Sequence, residues 1–137
     1  DVTYHFHGDH ALGGTRHSRE AVRRWFQRLR RLLPSRFIIR ELELVGWPWD
    51  TRVYMRFDDH VTPEHGPSYV NHGVQITRLR WGAAVSIETY TDTARIVRAL
   101  ALLSEHGVEE ASAPPIEDLP EDIGYDRRMQ LTSNDAR

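Results

Sequence analysis

Between Arg36 and Thr91 the chain runs through four extended stretches, RFIIRELELVG, TRVYMRFDDHV, YVNHGVQITRLRWG and AAVSIETYT, joined by short segments. Connections this short leave no room for a parallel crossover, so the four are predicted to form an antiparallel meander. One helix precedes them. Ser18 is suited to cap it and Pro34 to stop it near Leu33. Ala21, Val22, Trp25, Phe26, Leu29, Leu32 and Leu33 recur at spacings of three and four, which makes one apolar stripe. Arg23, Arg24, Gln27, Arg28, Arg30 and Arg31 form the opposite face, read as solvated surface. Upstream, VTYHFHG reads as a short strand ended by Gly8, and DHALGGTRH as a loop. Downstream, Asp92 or Thr91 can cap a last helix through about Glu105. Ile96, Val97, Leu100 and Leu103 would be its buried stripe, with Gly107 beyond its end. From Glu109 on, acid and proline dominate without periodicity, which predicts an extended or disordered tail draped on a partner.

The turn Trp81-Gly82 registers the last two strands. With these two as central turn residues, Arg80 faces Ala83, and an uninterrupted ladder sets Val74 opposite Thr89 and Ile76 opposite Ile87. His72, Val74, Ile87 and Thr89 then share a mainly apolar face, expected to look inward. In TRVYMRFDDHV, Val53, Met55 and Phe57 point one way, while Tyr54, Arg56, Asp58 and His60 point the other. An Arg-x-Asp pair in mid-strand can decorate a wet surface, form a structural ion pair, or work inside a pocket.

Composition narrows the chemistry. The 137 residues, 39% of them hydrophobic, support one domain with one core. A net charge of −2 gives nucleic acid little reason to approach. The cysteine count is zero, which excludes disulfides, thiolate nucleophiles and Cys-based zinc sites and is compatible with a cytoplasmic location. All 18 basic residues are Arg, so Schiff-base lysine chemistry is excluded as well. No apolar run approaches the length of a membrane span, so no membrane contact is expected. Eight histidines invite a metal reading, but no HxxxH or comparable spacing brings three ligands together, and no metal is expected. The chain opens already strand-like at DVTYHFHG without an initiator Met, so upstream sequence is expected to be missing.

The phrases DVTYHFHGDHALGGTRHSREAV, SYVNHGVQITRLRWG and IETYTDTARI together resemble the SnoaL-like branch of the nuclear transport factor 2-like superfamily, over about Asp1 to Glu105. The resemblance implies an α+β fold: a cone-shaped curved antiparallel sheet packed by helices, with a pocket inside the cone. It implies a domain over 1–107, followed by the tail at 108–137. One or two helices normally precede this domain and cover the cone mouth; they are absent from this sequence. In limonene epoxide hydrolase, a member of the superfamily, an Arg-x-Asp occupies the strand of Arg56 and Asp58 and faces the pocket. The water-activating Asp of that enzyme is Thr89 here, so epoxide hydrolysis by that route is disfavoured. Tyr4 matches the Tyr that helps hold its water, and Phe6 replaces the Asn.

Asp92 lies ten residues after the turn glycine Gly82, like the acid/base Asp of the SnoaL-type polyketide cyclases, whose supporting His corresponds to Arg78. The resemblance therefore implies a cofactor-free acid–base enzyme, of cyclase, isomerase or hydrolase type, acting on an apolar oxygenated substrate. Asp92, Asp58 and Arg56 would be its catalytic residues. Tyr4, Phe6, Trp25, Tyr54, His72, Val74, Ile87 and Thr89 would form a lining for a small apolar or aromatic ligand. A plain helix cap is the competing role for Asp92, and a non-catalytic binding or dimerisation module the competing function. A homodimer across the outer face of the sheet is expected. Trp47 and Trp49 would either cap the mouth or pack in that contact.

Overall fold

The computed structural model describes residues 2–123. Strands β1 (Thr3–Phe6) and β2 (Gly14–Arg16) precede helix α1 (Arg19–Leu32). Four long strands follow: β3 (Ser35–Trp47), β4 (Asp50–Val61), β5 (Tyr69–Arg80) and β6 (Ala83–Thr91). Helix α2 (Thr93–Glu105) and a 3-10 turn (Glu109–Ser112) complete the described elements. One curved, unclosed sheet runs in the order β2-β1-β6-β5-β4-β3, and the fold is α+β with a pocket between sheet and helices.

The meander is antiparallel as expected, but the sheet is mixed. β1 lies parallel to β6, with Phe6 opposite Thr89. Part of the segment read as a loop is strand β2, which pairs antiparallel with β1. Both extra pairings are long-range and too short to leave a period of their own. Helix α1 starts where its cap predicts: the Ser18 side chain accepts from the Ala21 amide at 3.1 Å. Trp25 sits at the centre of the core, 1% exposed, between Tyr4 and Phe6, and its indole N–H donates to the Leu12 carbonyl.

The ladder departs from the simple register at two bulges. In β3 the pairing shifts at Arg40, between Ile39 and Glu41. In β6 the shift falls at Val85, because Leu79 pairs with Ala84 but Arg78 with Ser86. Beyond Val85, Gln75 rather than Val74 faces Thr89, and Thr77 rather than Ile76 faces Ile87. The extra residue thus turns every β5 side chain to the face opposite from the one expected.

The basic face of α1 is not simply wet. Residues 109–122 lie along it as an acidic strap. Glu110 binds Arg28 at 3.3 Å and Arg31 at 2.6 Å, and Asp122 binds Arg24 at 2.8 Å. Asp118 accepts from the His17 amide and, at 2.7 Å, from the Ser18 amide, which places a carboxylate at the positive end of the helix. Arg16, fully buried, donates through Nε to the Ile116 carbonyl and through Nη2 to the Gly13 carbonyl. Ala111 joins the main core. The remainder of the predicted tail, 124–137, lies outside the described residues.

Burial pushes the Asp118 carboxyl upward, but hydrogen bonds from Ser18 and His17 outweigh it and leave the group below its usual range. Glu110 is lowered chiefly by Arg31, and Asp122 chiefly by Arg24. Groups with depressed native pKa values stabilise the fold above their unfolded values and lose that contribution as pH falls through the native ones. Thermal melts should therefore show stability dropping from about pH 4 downward. Asp118→Ala should cost about 1–2 kcal/mol at neutral pH, near the cost of a lost helix cap, and should flatten that acid limb.

Candidate active site

Between α1 and the concave face of the sheet lies a cavity of about 810 Å³. Its walls are largely apolar: Tyr4, Phe6, Trp25 and Phe26 on one side, Phe37, Met55 and Phe57 on the other. A volume of this size accommodates a ring-bearing molecule of drug-like dimensions. Of the eight residues expected to line it, Tyr4, Phe6, Trp25, Ile87 and Thr89 do so. Tyr54, His72 and Val74 do not; they project from the outer face because the Val85 bulge reverses β5, and β4 is in step with β5.

The Arg-x-Asp pair is also on the outer face. Asp58 lies opposite His72, and its carboxylate accepts from Arg40 Nε at 2.7 Å and meets His72 Nδ1 at 2.6 Å. The His72 hydrogen bond, then that of Arg40, holds the Asp58 carboxyl below its ordinary range. Arg56 pairs instead with Glu41 at 3.0 Å, in solvent. Both groups are thus paired outside the cone, the structural ion-pair role among the alternatives.

Asp92 is likewise exposed. It occupies the cap position of α2 without a side-chain cap hydrogen bond and pairs with Arg95 at 3.3 Å. Its backbone is held by Asn71, whose Oδ1 accepts from the Asp92 N–H. Arg78, at the position that resembles the cyclases' supporting His, binds Asp50 at the far end of the sheet, at 2.8 Å. The positions that resemble the superfamily's catalytic residues therefore do not converge in this cavity.

A different polar cluster does face it. Asp59, Asn71 and Tyr69 come from one end of β4 and β5, and Thr91 from the end of β6. Asp59 lies directly opposite Asn71, Tyr69 opposite Val61, and Thr91 opposite Gly73. Three atoms of this cluster are buried without a hydrogen-bond partner among the described residues: Asp59 Oδ1, Tyr69 Oη and Thr91 Oγ1. Buried polar atoms are normally satisfied, so three orphans on one cavity wall are positions at which a bound polar group would find partners. Burial pushes the Asp59 carboxyl above its ordinary value, against a weaker lowering by the Ser35 hydrogen bond and by His60. Burial, with the nearby Asp59 charge, pushes the Tyr69 hydroxyl up to about 12. The cluster thus sets a carboxyl raised above its ordinary range beside a phenol that stays protonated. A second polar row lies farther along the same wall, where Thr89 Oγ1 donates to Gln75 Oε1 at 3.3 Å beside Tyr4.

A signal for Asp59 was present in the sequence. Val53, Met55 and Phe57 mark the inward face of β4, and Asp59 is the next residue on it. Of the doublet Asp58-Asp59, the member that continues the apolar series enters the cavity. Thr91 likewise continues the inward series of Ile87 and Thr89 on β6, and no comparable signal marks Tyr69. Gly73 serves the site by having no side chain: a Cβ there would stand 2.3 Å from Phe57 Cζ. The Phe57 ring lies across that gap and packs tilted against Phe37, centroids 4.5 Å apart. Among the described residues no group of three or more His, Asp or Glu side chains could hold a metal ion.

No family profile matches the sequence, and neither does any curated protein. Solved structures do match. An NTF2-like protein of unknown function from Burkholderia pseudomallei is 26% identical, with 72% of this chain and 76% of that chain covered and a TM-score of 0.64. A Jannaschia protein provisionally named a SnoaL-like polyketide cyclase is 15% identical, covering 72% and 69%, with a TM-score of 0.55. A Catenulispora acidiphila protein of ketosteroid isomerase-like fold, in complex with trimethylamine, is 18% identical, covering 83% and 79%, with a TM-score of 0.54.

Gly73→Ala should drive the Phe57 ring into the cavity at a cost of about 1–3 kcal/mol, typical of an overpacked site. Titration with a fluorescent apolar probe such as 2-naphthol should show weaker binding to this variant than to the native protein.

Proposed function

The chain belongs by its fold to the nuclear transport factor 2-like superfamily, and from that premise we propose that its cavity carries out cofactor-free acid–base catalysis on an apolar, oxygenated small molecule, with Asp59 as the proton carrier. The observation that carries this reading is the set of orphaned polar atoms, Asp59 Oδ1, Tyr69 Oη and Thr91 Oγ1, on the wall of an otherwise apolar cavity. Raising a carboxylate's pKa by burial brings it closer to the value a general base needs near neutral pH.

On a ketone substrate the Asp59 carboxylate would take the proton from a carbon next to the carbonyl. The electron pair of that C–H bond moves into the C–C–O system, and negative charge develops on the carbonyl oxygen. Tyr69, kept protonated by its raised pKa, donates a hydrogen bond to that oxygen, and the Thr91 hydroxyl gives a second. The proton now on Asp59 returns to a different carbon, which gives an isomer. Alternatively the enolate carbon attacks a second carbonyl, and the same proton goes to the new alkoxide, which gives a ring. In both routes the proton count balances without a further reactant. The apolar walls keep water away from the anion and strengthen each of these contacts.

Asp59 serves this chemistry at a cost to the fold. Its native pKa is raised, so its contribution to stability is fully present below the unfolded value and is lost as pH rises through the native one. Asp59→Asn should therefore melt at a higher temperature than the native protein at neutral pH. The same variant should lose about 10²–10⁴-fold in rate, the usual contribution of a positioned general base. Tyr69→Phe should lose about 10²-fold or more. The measurement is exchange of the acidic α-protons of cyclic ketones in heavy water, followed by NMR. Asp92→Asn and Asp58→Asn should keep full activity. Undiminished exchange in Asp59→Asn would reject the mechanism. Ligand binding with no exchange in any variant would favour the non-catalytic binding module.

A further inference from the structure

The turns β3–β4 and β5–β6 lie side by side at one end of the sheet and carry three of the chain's four tryptophans. Trp47, Trp49 and Trp81 are 67%, 52% and 75% exposed. The Trp47 and Trp49 rings stack in parallel, centroids 5.6 Å apart, and Trp81 leans on Trp49 at 6.1 Å. The two tips are tied together by the Trp81 N–H, which donates to the Pro48 carbonyl at 2.9 Å. The three rings therefore form one unit, and none of them lines the cavity.

Folding gives no reason for this unit. Exposed indoles forgo most of the burial that makes tryptophan favourable in a core. Trp81 also sits at φ +50, the one non-glycine residue with positive φ among the described residues. A two-residue hairpin turn asks for Asn or Gly at that place, and a tryptophan there adds strain. Strain retained at an exposed position points to a task at the surface.

The surrounding charges indicate the task. Asp50 binds Arg78, and Arg52 and Arg80 both lie close enough to act on the same carboxylate. Three arginines against one aspartate leave two positive charges at the tip of a chain whose formal net charge is −2. Cations beside indoles on a protruding end suit a soft, anionic, interfacial partner. Trp rings settle at the headgroup level of a bilayer, and Arg binds acidic headgroups. A nucleic acid would stack its bases on separate rings, whereas Trp47 and Trp49 already cover one face of each other.

We propose that the paired hairpin tips, through Trp47, Trp49 and Trp81 with Arg52 and Arg80, seat the protein on an anionic lipid surface. The arginines make the approach, and the rings enter the interface. No helix among the described residues is long and apolar enough to cross a membrane, which leaves surface attachment open. This attachment does not depend on the chemistry assigned to Asp59.

Vesicle sedimentation with the full chain tests it. Vesicles of phosphatidylcholine with about one third phosphatidylglycerol should bring the protein down and shift tryptophan emission to the blue, and pure phosphatidylcholine should not. Trp47→Ala with Trp49→Ala should bind at least about tenfold more weakly. Arg52→Ala with Arg80→Ala should lose most binding and most of its salt dependence. Trp81→Asn relieves the turn strain, so it should melt at a higher temperature than the native protein yet bind more weakly; this separates lost function from lost folding. Failure of the native protein to sediment, or equal binding by all variants, would overturn the proposal. So would a change of oligomeric state in the tip variants without any change in lipid binding, which would assign the tip to a second copy of the chain.

Discussion

Past the β5–β6 turn the ladder slips by one residue at Val85, and the chemistry of the cavity depends on that slip. With it, Asn71, Gly73 and Gln75 join Thr89 and Thr91 on the concave wall, and His72 and Val74 turn to solvent. Because β4 follows β5 in step, the same slip puts Asp59 inside and Asp58 outside. A period of two means that a single extra residue inverts a whole strand. The inversion trades an apolar β5 face for a polar one, which is tolerable only if the polar side chains have partners or guests. Asn71 has its partner in the Asp92 backbone. The Asp59, Tyr69 and Thr91 atoms have none among the described residues, and a site is left.

The other half of the cavity depends on α1, and α1 depends on charge. Its apolar stripe supplies Trp25, Phe26 and Leu29 to the cavity, its arginines are gripped from behind by Glu110 and Asp122, and Asp118 accepts from the amides at its start. Partly exposed ion pairs are individually weak. Several in a row along one helix, with two backbone carbonyls accepting from the buried Arg16, fix its position more firmly than a single pair could. The lid of the cavity is thus held from the solvent side as well as from the core.

How much of this was legible follows from which interactions are local. The helix from Ser18 to Leu33, the four strands and the second helix could be read because caps, stripes and turn residues act over a few positions. Tyr4, Phe6, Trp25, Ile87 and Thr89, implied as lining by the family resemblance, do line the cavity. The parallel pairing of β1 with β6 was not, since it joins segments about eighty residues apart with only four residues of contact. The bulge at Val85 leaves no mark in composition; its neighbours Ala83 and Ala84 fit either register. Arg56 and Asp58 share only their spacing with the superfamily's pocket pair, and the alternation of β4 puts them on the outer face. Asp59 continues the series of Val53, Met55 and Phe57, and that local rule held.

The strap has a consequence for the order in which the chain can fold. Asp118 reaches back a hundred residues to the amide of Ser18, and Ile116 reaches the same distance to Arg16. During synthesis the start of α1 leaves the ribosome long before either partner exists. Until then a guanidinium destined for complete burial has no carbonyl from the far end of the chain to receive it. Contacts of such separation slow folding, because the loop between them must close before they reward it. The amino-terminal third is therefore the part of this protein that waits, and a nascent chain released before residue 118 lacks the clasp that completes it.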